Sequence, residues 1–188
     1  MGLVEVSEHW LRRLKPLRER YPFHLEVPDE HYVGLALYSR LPMTAARTIR
    51  IGDGSTPAIA ATLATPAGKI EILLVHPASP VDAVAIRRRN AQIRALAQHV
   101  RDAGRPSVVV GDLNLTMWNA GYRPLEETAR LHNARAGHGI GPTWPAIGRL
   151  GVPIDHILAT PEVSLRDFRL LRSIGSDHLP IAAEFALR

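Results

Sequence analysis

The chain has 188 residues, 46% of them hydrophobic, which suits one sizeable core and is too short for two. It has no cysteine, so disulfides and thiolate metal sites are excluded and any metal must be held by oxygen or imidazole. The formal charge of +5 comes mostly from arginine, since Lys15 and Lys69 are the only lysines; a basic surface of this kind favours polyanions such as nucleic acid or anionic lipid headgroups.

No apolar stretch approaches the roughly 20 residues that span a bilayer, and the N-terminus lacks the basic-then-apolar pattern of a signal peptide. The expectation is a soluble chain, placed in a bacterial cytoplasm, or outside it if a membrane segment lies upstream.

Gly2 to Val6 reads as the end of a strand. Ser7 can cap a helix with Trp10, Leu11, Leu14 and Leu17 on one face, ending near Tyr21-Pro22. Val33 to Tyr38 predicts a strand, and Ile59–Ala64 with Ile70–Val75 a hairpin around Pro66-Ala67-Gly68. A long helix is expected from Asp82 to Gly104, with Ile86, Ile93, Leu96, Ala97 and Val100 facing inward. Ser107–Val110 is a short buried strand, Trp118–Ala129 a second helix, and Asn133–Gly151 a long surface loop rich in Gly and Pro. The last strands are Ile154–Ala159, Val163–Leu171 and Ile181–Leu187. With no repeat or linker, residues 1–188 form one α+β domain of stacked sheets and peripheral helices.

Four polar segments each follow or open an apolar run: Leu73-Leu74-Val75-His76, Val110-Gly111-Asp112-Leu113-Asn114, Ile154-Asp155-His156-Ile157-Leu158 and Ser176-Asp177-His178-Leu179-Pro180. Gathered at one sheet edge, they supply imidazoles, carboxylates and an amide, an inventory suited to metal-assisted attack of water on a phosphoester. Asp112 and Asn114 are two apart and point to one side if the backbone is extended; Gly-Asp-x-Asn is equally turn chemistry. His178 is suited to take a proton from water near neutral pH, and Asp155 to hold it in one tautomer. His76 ends a very apolar strand, where a polar tip must find a partner.

Taken in order, Leu3-Val4-Glu5-Val6, Gly34 to Pro42, His76, Gly111-Asp112-Leu113-Asn114, Ile154-Asp155-His156 and Gly175-Ser176-Asp177-His178 resemble the endonuclease/exonuclease/phosphatase superfamily, the DNase I-like enzymes. Tyr38 to Pro42, His76 to Pro80 and Thr116-Met117-Trp118 resemble a bacterial branch of it. The resemblance implies a four-layered α/β/β/α sandwich, two mixed sheets flanked by helices, and a divalent-metal-dependent phosphodiesterase. It implies that Glu5 ligates Mg²⁺ or Mn²⁺, with Asp177 at a second metal-proximal position. Asp112 and His178 would orient and deprotonate water, Asp155 hold His178, and Asn114 and His76 bind and neutralise the phosphoryl oxygens, with His76 also helping the leaving group. It also implies a strand with an Asn ligand ahead of Glu5. The sequence begins after that point, so an exposed sheet edge and a homodimer through it are expected.

The favoured substrate is DNA or RNA. Alternatives are a phosphatase or phospholipase-like enzyme on sugar phosphates or lipid headgroups, and an inactive domain that binds nucleic acid or a partner. Arg88, within Arg87-Arg88-Arg89, and Trp144, within Gly141-Pro142-Thr143-Trp144-Pro145, are candidate substrate contacts. The arginine run also reads as a solvated helix face, and Trp144 as a loop anchor.

Overall fold

The computed structural model describes residues 1–147 and 150–188. Its centre is a six-stranded sheet of order β4-β5-β6-β7-β11-β8, built from Met43–Arg50, Pro57–Thr65, Gly68–Val75, Ser107–Asp112, Asp155–Ala159 and His132–Asn133 respectively. β5 and β6 are the expected hairpin, closing with Thr65 opposite Gly68. Only the β6–β7 pair is parallel among the described residues, because the crossover between them is the long helix α3 (Ala83–Ala103). Asp82 caps α3 by accepting from the Ala85 N–H at 2.7 Å, and Gly104, at φ 56°, ends it.

A second, antiparallel layer holds β1 (Gly2–Val4), β3 (Leu35–Ser39) and β2 (Phe23–Val27) in the order β1-β3-β2. The hairpin β12–β13 (Val163–Leu170 and Ile181–Leu187) joins the same inter-sheet core. Strand alternation explains how β6 serves two cores. Ile70, Ile72 and Leu74 face the antiparallel layer, while Leu73 and Val75 face α3. A strand buried on both faces reads as one continuous apolar run. Tyr122 and Leu125, the latter in the short helix α4 (Arg123–Glu127), join α3 in the same core. The outer layer is α1 (Glu8–Leu14) with α2 (Leu17–Arg20), which covers Ala36 and Tyr38. The result is the four-layered α/β/β/α sandwich, one sheet mixed and the other antiparallel among the described residues.

Several local expectations change. Pro16 interrupts the first helix, and Trp10 is exposed while Leu11 is buried. Ile86 is also outside the core, near the N-terminus of α3 ahead of its buried stretch, which begins at Arg89. The helix expected over 118–129 shrinks to a 3₁₀ turn (Ala120–Tyr122) and α4, because Gly121 and Pro124 restrict where a helix can run. The expected loop over 133–151 contains strand β9 (Trp144–Ile147), paired with β10 (Leu150–Val152); Gly148 and Arg149 lie outside the described residues. Strands β2 and β4 are not legible in the sequence: most of β4 is exposed, so it carries no apolar alternation. Among the described residues, no helix is long and apolar enough to cross a membrane.

Candidate active site

Asp112 ends β7 and Asp155 opens β11, and the antiparallel register sets the two directly opposite each other. Gly111 makes this possible. A Cβ there would lie 1.9 Å from the Val75 carbonyl oxygen, so only glycine lets β7 close on the end of β6, where His76 comes next. Gly34 plays the same part beside β1, where a Cβ would lie 1.9 Å from the Val6 carbonyl oxygen. Glu5 leaves β1 with φ 58° and its side chain turns towards His76.

The polar groups converge on Asp112. His178 Nδ1–H donates to Asp155 Oδ2 at 2.8 Å, which leaves Nε2 3.9 Å from Asp112 Oδ2. His76 Nε2 lies 3.8 Å from the same Asp112 oxygen and 3.9 Å from Glu5 Oε1. Asp112 is 4% exposed and its other oxygen, Oδ1, accepts from the Asn114 N–H at 2.7 Å. Asn114 sits at φ 53°, so this segment is a turn rather than extended strand, and the amide Nδ2 donates to the Pro77 carbonyl at 3.0 Å. That bond uses one of two side-chain N–H groups and leaves the second for a ligand.

Burial and crowding set the charges. Burial, then the Asp155 field, pushes Asp112 up to about 7. Glu5 is also raised, by desolvation and by Asp177. Burial pushes His76 down to about 4, so at neutral pH it is an uncharged imidazole that can donate a hydrogen bond but not neutralise an anion. Burial alone would lower His178 too. The Asp155 hydrogen bond and the fields of Asp155, Asp112 and Asp177 outweigh it and raise its pKa.

Trp144 donates Nε1–H to Asp177 Oδ2 at 3.3 Å, and its ring centroid is 6.3 Å from that of His178. It is 42% exposed beside the cluster, so it reaches the site rather than anchoring a loop in the core. Arg88 is tied to Asp53 at 2.9 Å, on the α3 surface. Its neighbour Arg89 is buried, contrary to a solvated reading of the whole run.

Three supporting groups escape sequence reasoning. Thr143 Oγ1 accepts from the Ile154 and Asp155 N–H groups at 3.2 and 3.3 Å. Arg135, buried under Phe168, donates to the Asp155 carbonyl at 2.6 Å and to the Gly141 carbonyl at 2.6 Å. His156 Nε2–H donates to the Leu115 carbonyl at 2.9 Å and Nδ1 accepts from Asn133. Each acts across the chain fold, and nothing adjacent in sequence announces it.

The donor set fits a hard divalent cation. Among the described residues no Arg or Lys pairs with the side chain of Glu5, Asp112, Asp155 or Asp177, and a ligand atom from each of Asp112, Asp155 and His178 lies within 4.8 Å of the others. Crowded carboxylates with raised pKa values gain most from an added positive charge, and oxygen donors match Mg²⁺ or Mn²⁺.

Solved structures share this architecture. One is an endonuclease/exonuclease/phosphatase from Beutenbergia cavernae DSM 12333 (TM-score 0.78, 21% identity, 99% of this chain and 62% of that one). The chain thus spans under two thirds of that protein's length. Another is D. rerio TDP2 complexed with a single-strand DNA product (TM-score 0.78, 19% identity, 98% and 84%). A third is the mannosyl-6-phosphatase Bt3783 of Bacteroides thetaiotaomicron (TM-score 0.71, 16% identity, 99% and 84%). No curated protein matches the chain. The family model described as "Endonuclease/Exonuclease/phosphatase family" matches residues 1–178, and the chain belongs to that family.

Proposed function

We propose that the chain is a divalent-metal-dependent phosphodiesterase, and that its substrate is nucleic acid. The observation that carries the reading is the Asp155–His178 hydrogen bond at 2.8 Å, which turns His178 Nε2 towards Asp112 at the centre of a carboxylate cluster. With Nδ1–H fixed on Asp155, Nε2 is the free lone pair, so His178 can take a proton from a water and Asp155 stabilises the imidazolium that forms. Asp112 orients that water, while the neutral His76 and the free N–H of Asn114 donate to phosphoryl oxygens. Glu5 and Asp177 would hold the cation beside them. When bound, the cation supplies charge neutralisation for the phosphoryl group and its leaving oxygen. The chain's own contribution is positioning: four strand ends fix base, orienter and donors before substrate arrives.

The net charge of +5 and the exposed Trp144 beside His178 support nucleic acid over other phosphoesters, since an aromatic face can stack any base. The second reading, a phosphomonoesterase on phosphosugars, is favoured by the shared fold of the mannosyl-6-phosphatase.

The test is hydrolysis of supercoiled plasmid, bis(4-nitrophenyl) phosphate and a sugar 6-phosphate, each with Mg²⁺, Mn²⁺ or EDTA. Metal-dependent cleavage of the first two that is steeply weakened by salt on plasmid supports the nuclease. Turnover of the monoester alone transfers the assignment to the second reading. No metal-dependent turnover of any of them by folded protein contradicts the enzyme reading.

A further inference from the structure

Arg89 stands out as a charge in the wrong place for stability alone. It is 4% exposed on the inner face of α3, one turn before the core residue Ile93. Among the described residues no carboxylate pairs with it, and burial lowers its pKa. A buried guanidinium without a counter-ion costs folding energy, and an apolar side chain would pack there at less cost.

Its bonds show what it does hold. Nη1 donates to the Asn114 carbonyl at 2.7 Å, and Nε and Nη2 donate to Asn90 Oδ1 at 3.2 and 3.0 Å. Asn114 is the left-handed residue of the Asp112 turn, a conformation that asparagine tolerates better than most side chains and that its three hydrogen bonds hold in place. Asp112 holds the Asn114 N–H, Pro77 holds its side chain, and Arg89 holds its carbonyl. One turn further along α3 the buried Gln92 accepts from the Ala78 N–H at 2.9 Å, in the segment just after His76. Its Nε2 faces Asp53, Ser55 and Thr56 of the loop after β4.

We infer that Arg89 and Gln92 form a polar clamp on α3 that positions the phosphoryl-binding side of the site. Arg89 sets Asn114, and with it the Asp112 carboxylate. Gln92 sets the His76–Ala78 segment, which Asn114 Nδ2 also grips through Pro77. Both are positioning residues that touch no substrate. The inference rests on the phosphodiesterase reading for its kinetic consequence, but not for its structural one.

The test compares Arg89→Ala, Arg89→Lys and Gln92→Leu with Leu125→Ala, which opens an apolar defect in the same core without removing a hydrogen bond to the Asn114 turn. With bis(4-nitrophenyl) phosphate and Mn²⁺, Arg89→Ala is expected to lose ~10- to 100-fold in kcat with KM nearly unchanged. Added guanidinium ion is expected to restore part of that loss, and Arg89→Lys to retain more activity than Arg89→Ala. Leu125→Ala is expected to lower the melting temperature and leave kcat near parental. Parental kcat in folded Arg89→Ala, or an unrescued loss no larger than that of Leu125→Ala, overturns the clamp. A second readout needs no turnover. Exchange of the Asn114 amide proton, measured by NMR, should be faster in Arg89→Ala than in the parent and slowed again by guanidinium. If the parent proves inactive, the enzyme reading fails while this exchange still decides the clamp: unchanged exchange overturns it.

Discussion

Two Asp-His dipeptides open the last two segments of the site, Asp155-His156 and Asp177-His178, and each precedes apolar residues. By sequence they are equivalent. In the fold, His156 is 1% exposed, bonded to the Leu115 carbonyl and Asn133 and tilted against Tyr122, and burial pushes its pKa down to about 4. His178 stands at the rim, bonded to Asp155, and its pKa is raised. Asp155 serves not its own neighbour but His178, because alternation along β11 sends Asp155 and His156 to opposite faces of the sheet. The dipeptide therefore carries no fixed meaning. His156 lies within β11 and is a buried neutral strut, whereas His178 lies in the bend before β13 and keeps Nε2 free at the rim.

This contrast can be broken by mutation. The largest effect is expected at His178: His178→Ala should lower kcat by ~10²- to 10⁴-fold on bis(4-nitrophenyl) phosphate with little change in melting temperature. Asp112→Ala should lower turnover strongly as well, again with the fold retained. Parental rates in both variants would remove the site assignment. His156→Ala should do the reverse, losing on the order of 1–3 kcal/mol of stability in urea unfolding because it strands Leu115 and Asn133, with a smaller effect on rate.

Acid sharpens the same contrast. His156 has a folded pKa of about 4 against an unfolded value of 6.5, so the unfolded chain binds its proton first as pH falls. Its stabilising contribution is complete above pH 6.5 and is lost as pH drops towards 4. Urea midpoints should therefore fall across that window, and His156→Gln should flatten part of the slope. A slope unchanged in the variant would show that His156 is not held neutral. The smallest effect is expected at Trp144. Trp144→Ala should raise KM for plasmid several-fold, as loss of about 1 kcal/mol of base stacking allows, and leave KM for the small diester nearly unchanged.

Much of the site is readable because its residues sit where apolar runs end. The Ile72–Val75 and Val108–Val110 runs mark buried strands, and the residues just beyond each run must lie at the sheet edge. The β5–β6 hairpin and α3 are equally plain, through the Pro66-Ala67-Gly68 turn and the Asp82 and Gly104 caps. The hidden part depends on contacts distant in sequence. Arg89 reads as part of a solvated run because charge implies exposure, and only the approach of the Asn114 turn, 25 residues away, gives its guanidinium a place. Thr143 and Arg135 support Asp155 from loops whose composition says only that they turn. β4 escapes notice since an edge strand that buries almost nothing needs no hydrophobic pattern.

The most direct test of the account is Asp155→Asn, which keeps the shape at Asp155 but alters what it offers to His178 Nδ1. The measurement is the Mn²⁺-dependent rate on bis(4-nitrophenyl) phosphate beside the melting temperature. A loss of ~100-fold or more in kcat with the melting temperature nearly unchanged is expected, since His178 would lose its anionic orienting partner. A variant that hydrolyses the diester at the parental rate would contradict the claim that Asp155 makes His178 the base.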